Sequence, residues 1–409
     1  MKIAILSTCY LEQIKILYQN HDQLKDLHYE DEFEGLLKYS ASQFYYWKKY
    51  IKRSGLDIEI FCHDLIWLNQ KWAQEQKSSQ LKELSSNELF LQRIKLFKPD
   101  ILFVFSPIYY SEMIKKIKSD VSSVKKTVAW YGARQGNERE TFNSYDLTLT
   151  NSKVFRQRLH ATGMNAEILQ HSFEPNTYDV ISHSRKNLPK ERKNRIMFTG
   201  TLGFENPDHL SRTVYLEKLA KSVDVDLFSD GAVYQKTKKQ ILLETRFFIS
   251  SALSSSLGNL APNKLKMWAD KQNLPKFPKS STKAFAQSLK GAVYGRDMLD
   301  KLSEYQVCFN FHNDATGDSA CNMRMFEATG MGCCLLTDHK SDINSLFEPD
   351  TEIFTYKNSD EAISKATYLI NNPKIARKIA LAGQQKTHSE YTTEKQVQQL
   401  IFHLRNLWN

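Results

Sequence analysis

The feature that most constrains the fold is an alternation of short apolar runs with longer helix-like stretches, which occurs twice along the 409-residue chain. In the first half the runs include "KIAILST", "PDILFVFS" and "DLTLTNS". In the second half they include "RIMFTGTLG" and "YQVCFNFH". This alternation is typical of parallel sheets covered by helices, because parallel strands need a crossover segment between them. We therefore predict an α/β chain with two Rossmann-like units.

A charged, aperiodic stretch, "SRKNLPKERKN", separates the two units and is typical of an exposed linker. The predicted organisation is an N-terminal domain over 1–175, a linker over 176–194, a C-terminal domain over 195–385 with a poorly periodic insertion over 233–290, and a C-terminal helix over 386–409. Pro373 is predicted near a helix start and Gly383 near a helix stop. The final helices can cross back to the first domain.

The chain is basic, with a formal charge of +10 and a pI near 9.0. These values indicate an anionic partner: nucleic acid, acidic lipid headgroups or a phosphorylated ligand. The longest apolar stretch, "ILFVFSPIYY", is too short to span a membrane, and the start, "MKIAILSTCY", lacks a signal-peptide cleavage site. We expect a cytoplasmic protein that is soluble or peripheral on the inner face of the membrane.

An aromatic and basic stretch, "LLKYSASQFYYWKKYIKRSG", predicts an amphipathic helix around residues 33–53. We interpret it as a core helix with a solvated basic face. The alternative is attachment to acidic lipid near a lipid-linked acceptor, and the basic segment 264–290 offers the same choice. Nucleic-acid binding is not favoured, because the sequence has no evident recognition helix or stacking platform.

Patterns for metal or cofactor binding are weak in this sequence. The six cysteines form no CxxC pair, and we interpret them as buried thiols. A DxD pattern, Asp224 and Asp226, lies at the start of a strand, remote from the expected ligand-binding edge. Neither unit has GxGxxG or GxxxxGK[ST] after its first strand. We predict no metal ion and no cofactor.

The segment "GDSACNMRMFEATGMGCC", residues 317–334, has the strongest functional pattern. A strand, a loop of small residues and a helix start provide free N–H groups and a positive helix dipole, which suit a diphosphate. Arg324 in the first helical turn can bind a phosphate, and Glu327 can accept hydrogen bonds from two ribose hydroxyls. The alternative is that the two residues only pair with each other on the surface. The predicted binding residues here are Ser319, Ala320, Cys321, Asn322, Met323, Arg324 and Glu327.

The stretch "NMRMFEATGMGCCLLTDHKSDINSLFEPDTEIFTYK" and the helices after it resemble the C-terminal segment of CgeB-like (spore-protein-type) glycosyltransferases, which are related to glycosyl transferase group 1. The resemblance continues in "KPDILFVFSP" and "LQHSFEP", and it excludes residues 233–290. It implies a GT-B fold with two facing Rossmann-like domains and a C-terminal helical segment. It also implies transfer of a sugar from a nucleotide-diphosphate donor held mainly by the second domain.

The retaining relatives of this family use the Glu of an E-A-x-x-x-G motif to bind the donor ribose. Glu327, Ala328 and Gly332 match that motif. The partner Glu of their E-x7-E pattern is Ser319 in this chain, so their mechanism does not carry over in detail. These relatives also place an Arg and a Lys soon after the first strand of the second domain, whereas this chain has "TGTLGFENPDHLSR" there.

Further candidates lie at other predicted strand ends. Thr199, Gly200 and Thr201 can approach a phosphate, with Arg212 as a cation and the backbone at Tyr294 as a reader of the base. The catalytic candidates of the first domain are His171, at the end of its last strand, and the loop residues Arg134 and Glu138.

The predicted function is metal-independent transfer of a hexosyl-type sugar to a glycan or lipid-linked glycan acceptor, with retention favoured over inversion. Two alternatives stay open: a nucleotide-sugar epimerase of similar architecture, and a nucleotide- or glycan-binding module without turnover. Ser319, at the position of the familiar Glu, is the observation that speaks for the binding module.

Overall fold

A computed structural model describes residues 1–132, 138–178, 192–202, 209–229, 238–269 and 283–409. Its strands are β1 Lys2–Ser7, β2 Asp57–Cys62, β3 Ile101–Val104, β4 Lys126–Trp130, β5 Leu147–Thr150, β6 Ala166–Ile168, β7 Lys193–Thr199, β8 Val225–Phe228, β9 Leu289–Lys290, β10 Tyr305–Asn310, β11 Cys334–Asp338 and β12 Phe354–Tyr356. Most of the predicted linker, residues 179–191, lies outside the described residues, as do residues 270–282 of the basic segment.

The helices cover the sheets in the order that the alternation predicts. They are α1 Leu11–Asn20, α2 Tyr29–Tyr39, α3 Gln43–Arg53, α4 Ile66–Glu75, α5 Ser79–Lys82, α6 Ser86–Phe97, α7 Ser111–Asp120, α8 Glu138–Phe142, α9 Lys153–Ala161, α10 Leu210–Ser222, α11 Lys238–Leu257, α12 Asn263–Trp268, α13 Lys283–Ser288, α14 Gly295–Glu304, α15 Met323–Gly330, α16 Ser359–Asn371, α17 Pro373–Glu390 and α18 Thr393–Trp408. Among the described residues, no helix has the length and hydropathy needed to cross a bilayer.

The strands form two six-stranded sheets, ordered β2-β1-β3-β4-β5-β6 and β12-β11-β10-β7-β8-β9. Pairing is parallel; Ile3 of β1, for example, is in register with Ile58 of β2 and Ile101 of β3. In the second sheet Cys308 of β10 is in register with Leu335 of β11. These strands are apolar on both faces because helices cover both. The predicted α/β architecture with two parallel sheets is confirmed.

The chain divides into two compact units, one of residues 1–197 and 293–409 and the other of residues 198–292. The first unit contains the whole first sheet and strands β10, β11 and β12. In the second unit, α10 and α13 pack together beside β8. Leu216 of α10, Leu227 of β8 and Phe285 of α13 are buried there.

The helix predicted around residues 33–53 is divided into α2 and α3 by Ser40–Ser42, where Ala41 has a φ of 52°. The side-chain hydroxyl of Ser42 caps α3 by accepting a hydrogen bond from the N–H of Phe44. Trp47 and Ile51 of α3 are fully buried in the core of the first sheet. The apolar face of this helix therefore packs inside the protein.

The last helix, α18, packs against α3 within the first unit. The indole Nε1 of Trp47 donates to Oε1 of Gln396 at 2.9 Å. The backbone of Phe173 exchanges hydrogen bonds with two residues beside α18, accepting from Thr393 and donating to Tyr391 at 3.0 and 2.8 Å. These contacts fix the C-terminus of the chain on the N-terminal sheet.

The helix α17 begins at Pro373, as predicted, but the predicted stop at Gly383 is wrong, because the helix continues to Glu390. A Cβ atom on Gly383 would lie 2.4 Å from the carbonyl oxygen of Glu352. Gly383 therefore allows two backbone segments to approach closely. From the sequence alone, a glycine with this tertiary role cannot be distinguished from a glycine that ends a helix.

We expect Gly383→Ala to lower the free energy of unfolding by about 1–2 kcal/mol, although alanine favours a helix. The reason is that the added methyl group meets a backbone oxygen that cannot rotate away. Thermal melting checks this, with Gly291→Ala as the matched control because nothing lies within 4 Å of a Cβ at Gly291. Equal melting temperatures for the two variants would contradict the assignment.

Candidate functional site

The candidate site is built at the carboxyl ends of β10, β11 and β12. The side-chain Nδ2 of Asn310 donates to Thr337 at 2.9 Å, and its Oδ1 accepts from Asn322 at 3.0 Å. The hydroxyl of Tyr356 donates to the carbonyl of Asn310 at 2.7 Å. Asn310 thus links three strand ends to the start of α15.

A buried histidine and carboxylate pair follows these strands. The ring Nδ1 of His312 lies 2.7 Å from Oδ1 of Asp338, which also accepts the N–H of His312 at 2.9 Å. Burial alone would raise the pKa of Asp338, but His312 and Lys340 outweigh it and lower that pKa to about 2. The ionised carboxylate accepts only, so Nδ1 carries the proton. The other ring nitrogen, Nε2, is buried without a hydrogen-bond partner among the described residues.

The loop before α15 is held by a second carboxylate. Asp342 accepts hydrogen bonds from the hydroxyl of Ser319 at 2.9 Å and from the N–H of Ala320 at 2.6 Å. The ammonium of Lys340 donates to the carbonyl of Gly317 at 2.8 Å. Ser319 is fully buried, and the N–H of Ala320 is engaged within the protein. Ser319 therefore belongs to the scaffold of the loop.

Helix α15 begins where the sequence pattern predicts a helix. Asn322 caps it, accepting the N–H of Arg324 at 2.8 Å. The guanidinium Nη1 of Arg324 pairs with Oε2 of Glu327 at 2.7 Å, with side chains 16% and 18% exposed, and also contacts the sulfur of Met298. The Nε of Arg324 is buried without a hydrogen-bond partner within the described part of the chain. The i, i+3 pair allowed by the spacing thus forms, in a mostly buried setting. Met323 is exposed beside it.

The N-terminal sheet contributes to the same region of the first unit. The side-chain Nδ2 of Asn151, just after β5, donates to the carbonyl of Cys321 at 2.6 Å. The thiol of Cys321 donates to the carbonyl of Gly132, just after β4, at 3.7 Å. A Cβ on Gly132 would lie 2.6 Å from Oδ1 of Asn151. The carboxyl ends of β4 and β5 therefore lie directly against the loop before α15.

The catalytic candidates of the first domain lie in different environments. His171 is buried, with its ring centroid 5.2 Å from that of Trp130 and 6.3 Å from that of Phe326. Burial lowers the pKa of His171 to about 4. Glu138 begins α8, and its carboxylate pairs with Arg158 at 2.8 Å. Arg134 lies outside the described residues.

The candidates of the second unit form a group of their own. Arg212 is buried, donates to the carbonyl of Thr201 at 3.0 Å and lies over the ring of Phe198. The N–H of Gly200 donates to the carbonyl of Phe228 at 3.2 Å, and Thr199 is buried at the end of β7.

The remaining candidates are Tyr294 and the DxD pattern. Tyr294, in the first unit, immediately precedes α14 and is half-buried. In the DxD pattern, Asp226 is buried within β8 and pairs with Lys290 at 3.7 Å.

Four polar residues of the site were absent from the sequence-based set: Asn310, His312, Asp338 and Asp342. The signal available for Asn310, His312 and Asp338 was their position, since "VCFNFH" and "CCLLTDH" are apolar runs that end in polar residues. Strand ends of a parallel sheet are where ligands bind. The site that results combines mostly buried cations, carboxylates and a helix start, which together can bind an anionic ligand carrying hydroxyl groups.

Comparisons with known proteins agree with this architecture. A profile of the family described as Glycosyl transferase-like matches residues 245–401, which is less than half of the chain and includes α15. No curated protein matches the chain in sequence.

Solved structures establish the fold. A sucrose-phosphate synthase from Thermosynechococcus elongatus is 9% identical, with a TM-score of 0.56, over 100% of this chain and 99% of its own. A glycosyltransferase from Rickettsia africae is 12% identical, with a TM-score of 0.54, over 100% and 98%. HepE from Anabaena, in complex with UDP-glucose, is 13% identical, with a TM-score of 0.53, over 99% and 100%. The chain has the α/β GT-B fold, as predicted.

We expect the melting temperature to fall as the pH decreases from about 6.5 to 4, in part because of His171. Its pKa is lower in the folded state, so the unfolded chain takes up the proton first and the protein loses up to about 3 kcal/mol of stability across this range. Thermal melts at pH 7 and pH 5 check this. Between these two pH values His171→Gln should lose less melting temperature than the wild type does. An unchanged pH dependence in His171→Gln would contradict the prediction.

Proposed function

We propose that this chain is a glycosyltransferase of the CgeB-like type, which transfers a hexosyl-type sugar from a nucleotide-diphosphate donor to a glycan or lipid-linked glycan. The observation that carries the proposal is the mostly buried Arg324–Glu327 pair in the first turns of α15, at the carboxyl edge of the second sheet. A helix start with a cation and a carboxylate one turn apart suits the diphosphate and ribose of one nucleotide. The partial family match and the GT-B fold agree with this reading.

In the proposed complex Arg324 exchanges its pairing with Glu327 for the donor diphosphate, and Glu327 accepts the ribose hydroxyls. Both side chains are mostly buried, so each needs a new partner: the diphosphate compensates the charge of Arg324, and the ribose hydroxyls donate hydrogen bonds to the carboxylate of Glu327. The amides of Cys321, Asn322 and Met323 face the diphosphate, while Ser319 and Ala320 hold the loop through Asp342. The HepE structures in complex with UDP and with UDP-glucose support a donor of the nucleotide-diphosphate class.

We add His312 to the donor site of this proposal. Asp338 orients its ring through Nδ1 and leaves the buried Nε2 without a partner among the described residues. A sugar hydroxyl is the matching ligand for such a nitrogen, because a hydroxyl can donate or accept. His312 thus serves the sugar end of the donor, a role that a Glu at position 319 has in related enzymes.

The proposed transfer needs no metal ion at the donor phosphates. Charge on the leaving diphosphate is neutralised by Arg324, by Lys340 and by the start of α15. Retention is favoured over inversion, because a retaining reaction can use the leaving phosphate on the acceptor's side as base. The reaction then needs no general base from the first domain, where His171 packs between aromatic rings and Glu138 pairs with Arg158.

We place the acceptor against the N-terminal domain, residues 1–175, and the donor on the C-terminal domain, residues 195–385. Within the second unit, Thr199, Gly200, Thr201 and Arg212 stay proposed phosphate-binding residues, and in the first unit the backbone at Tyr294 stays a proposed reader of the base. With a lipid-linked acceptor the enzyme works in the cytoplasm, at the inner face of an acidic membrane that the basic surface attracts.

One observation favours a second candidate, a nucleotide- or glycan-binding module without turnover. The position of the familiar catalytic Glu is occupied by Ser319, which is fully buried and bound to Asp342. If His312 does not take the role of that Glu, the protein binds the donor but does not transfer its sugar.

Donor turnover is the test of the proposed function. The protein is incubated with a panel of UDP-, GDP-, dTDP- and CMP-sugars, and nucleotide release and donor isomerisation are followed separately. We expect release with one nucleotide-diphosphate sugar. Isomerisation without release would identify an epimerase, and binding without either reaction would identify the module.

We expect Glu327→Gln and Arg324→Ala each to weaken donor binding roughly 10- to 100-fold, because each loses a charged hydrogen bond to the ligand. Calorimetric titration with the donor found in the panel measures this. Glu112→Gln is the matched control, since Glu112 and Lys115 form an exposed i, i+3 pair on α7. Folded variants with unchanged donor affinity would show that the nucleotide binds elsewhere.

A further inference from the structure

A cluster of potential metal ligands lies at the carboxyl ends of β1 and β2, on the first sheet. Cys9 follows β1, Cys62 ends β2 and Asp64 comes two residues later. The two sulfur atoms are 3.6 Å apart, and one ligand atom from each of the three residues lies within 4.8 Å of the others. The sheet brings together thiols that are 53 residues apart in sequence.

The spacing of these atoms suits a tetrahedral ion. Two sulfur atoms bound to Zn²⁺ at about 2.3 Å with a tetrahedral angle are about 3.8 Å apart, close to the separation here. A carboxylate oxygen is an accepted third ligand of Zn²⁺. Thiolate ligands select Zn²⁺ over Mg²⁺ or Ca²⁺, which prefer oxygen.

The surroundings of the cluster support a cation. The Oδ1 atom of Asp64 is buried without a hydrogen-bond partner among the described residues, while its Oδ2 accepts the N–H of Cys9 at 2.7 Å. A divalent cation would compensate the carboxylate charge at this Oδ1 atom, which has no partner in the part of the chain that the structure describes.

His63, next to Cys62 in the sequence, is not available as a fourth ligand of the ion. The ring Nδ1 of His63 lies 3.0 Å from the hydroxyl of Tyr109, and its Nε2 lies 2.6 Å from Oδ1 of Asn87, so both nitrogens are engaged elsewhere. Cys9 is half-buried and gives an ion a route from solvent. Three protein ligands and one exchangeable position describe an open zinc site.

We propose that Cys9, Cys62 and Asp64 bind one Zn²⁺ ion with its fourth coordination position open to water or a ligand hydroxyl. Binding converts two thiols to thiolates, forms two Zn–S bonds and one Zn–O bond, and releases the two thiol protons to solvent. The site is on the first sheet, apart from the donor phosphates, so it does not depend on the proposed transferase activity.

The test is a metal titration of the full-length chain, reduced and stripped with a chelator, under anaerobic conditions. With Co²⁺ as the probe we expect one equivalent to bind and to give a thiolate-to-cobalt charge-transfer band that Zn²⁺ abolishes. We expect Zn²⁺ binding to release about two protons. Absence of the band, or a reduced protein that takes up no metal, would overturn the proposal. A Cys9–Cys62 disulfide would then account for the proximity of the sulfurs.

Variants assign the ligands. Cys9→Ser and Asp64→Asn change partly exposed residues and should each weaken Co²⁺ binding more than tenfold, since even outer partners of metal ligands contribute about 10- to 100-fold. Cys62→Ser should lower the intensity of the thiolate-to-cobalt charge-transfer band, because one of the two thiolates is removed. Thermal melting confirms that this variant folds. Cys334→Ala, at a buried thiol in β11, is the matched control and should keep the full band. Stoichiometric Co²⁺ binding with an unchanged band in folded Cys9→Ser would contradict the assignment.

Discussion

Parallel strand pairing is the constraint on which both the candidate donor site and the proposed metal site depend. Because β10 and β11 run in the same direction, Asn310 and Asp338 end on one edge of the second sheet. The first sheet obeys the same rule, so β5 delivers Asn151 to the loop before α15 and β1 and β2 bring Cys9 next to Cys62. Both of these candidate sites lie where strands end, which is where ligands bind in other open α/β sheets.

Two carboxylates, the buried Asp338 and the half-buried Asp342, hold the segments that lead into α15. Asp338 orients His312, and Asp342 holds Ser319 and the N–H of Ala320. A carboxylate at position 319 would face Asp342 directly, and two like charges at that distance would repel. The departure from the family pattern at Ser319 is therefore consistent with its surroundings, and the proposed function requires another residue, His312, at the sugar end of the donor.

The sequence predicted a large part of the fold from local patterns. Apolar alternation predicted the two parallel sheets, and Arg324 and Glu327 were placed on one helix because i, i+3 spacing is a property of neighbouring residues. Gly383 was misinterpreted because a glycine that ends a helix and a glycine that admits a neighbouring backbone look alike in sequence. The division of the predicted helix 33–53 at Ala41 was not predicted, because no glycine or proline marks it in the sequence.

The amino-acid sequence by itself determined the alternation of strands and helices, the position of α15 and the spacing of Arg324 and Glu327, because each depends on residues a few positions apart. Only the tertiary structure decided that His312 meets Asp338, that Ser319 binds Asp342 and that Cys9 lies beside Cys62. These contacts join separate segments, and they follow from the order in which strands become neighbours in each sheet. The periodicity of apolar residues along the chain does not determine the order of the strands in a sheet.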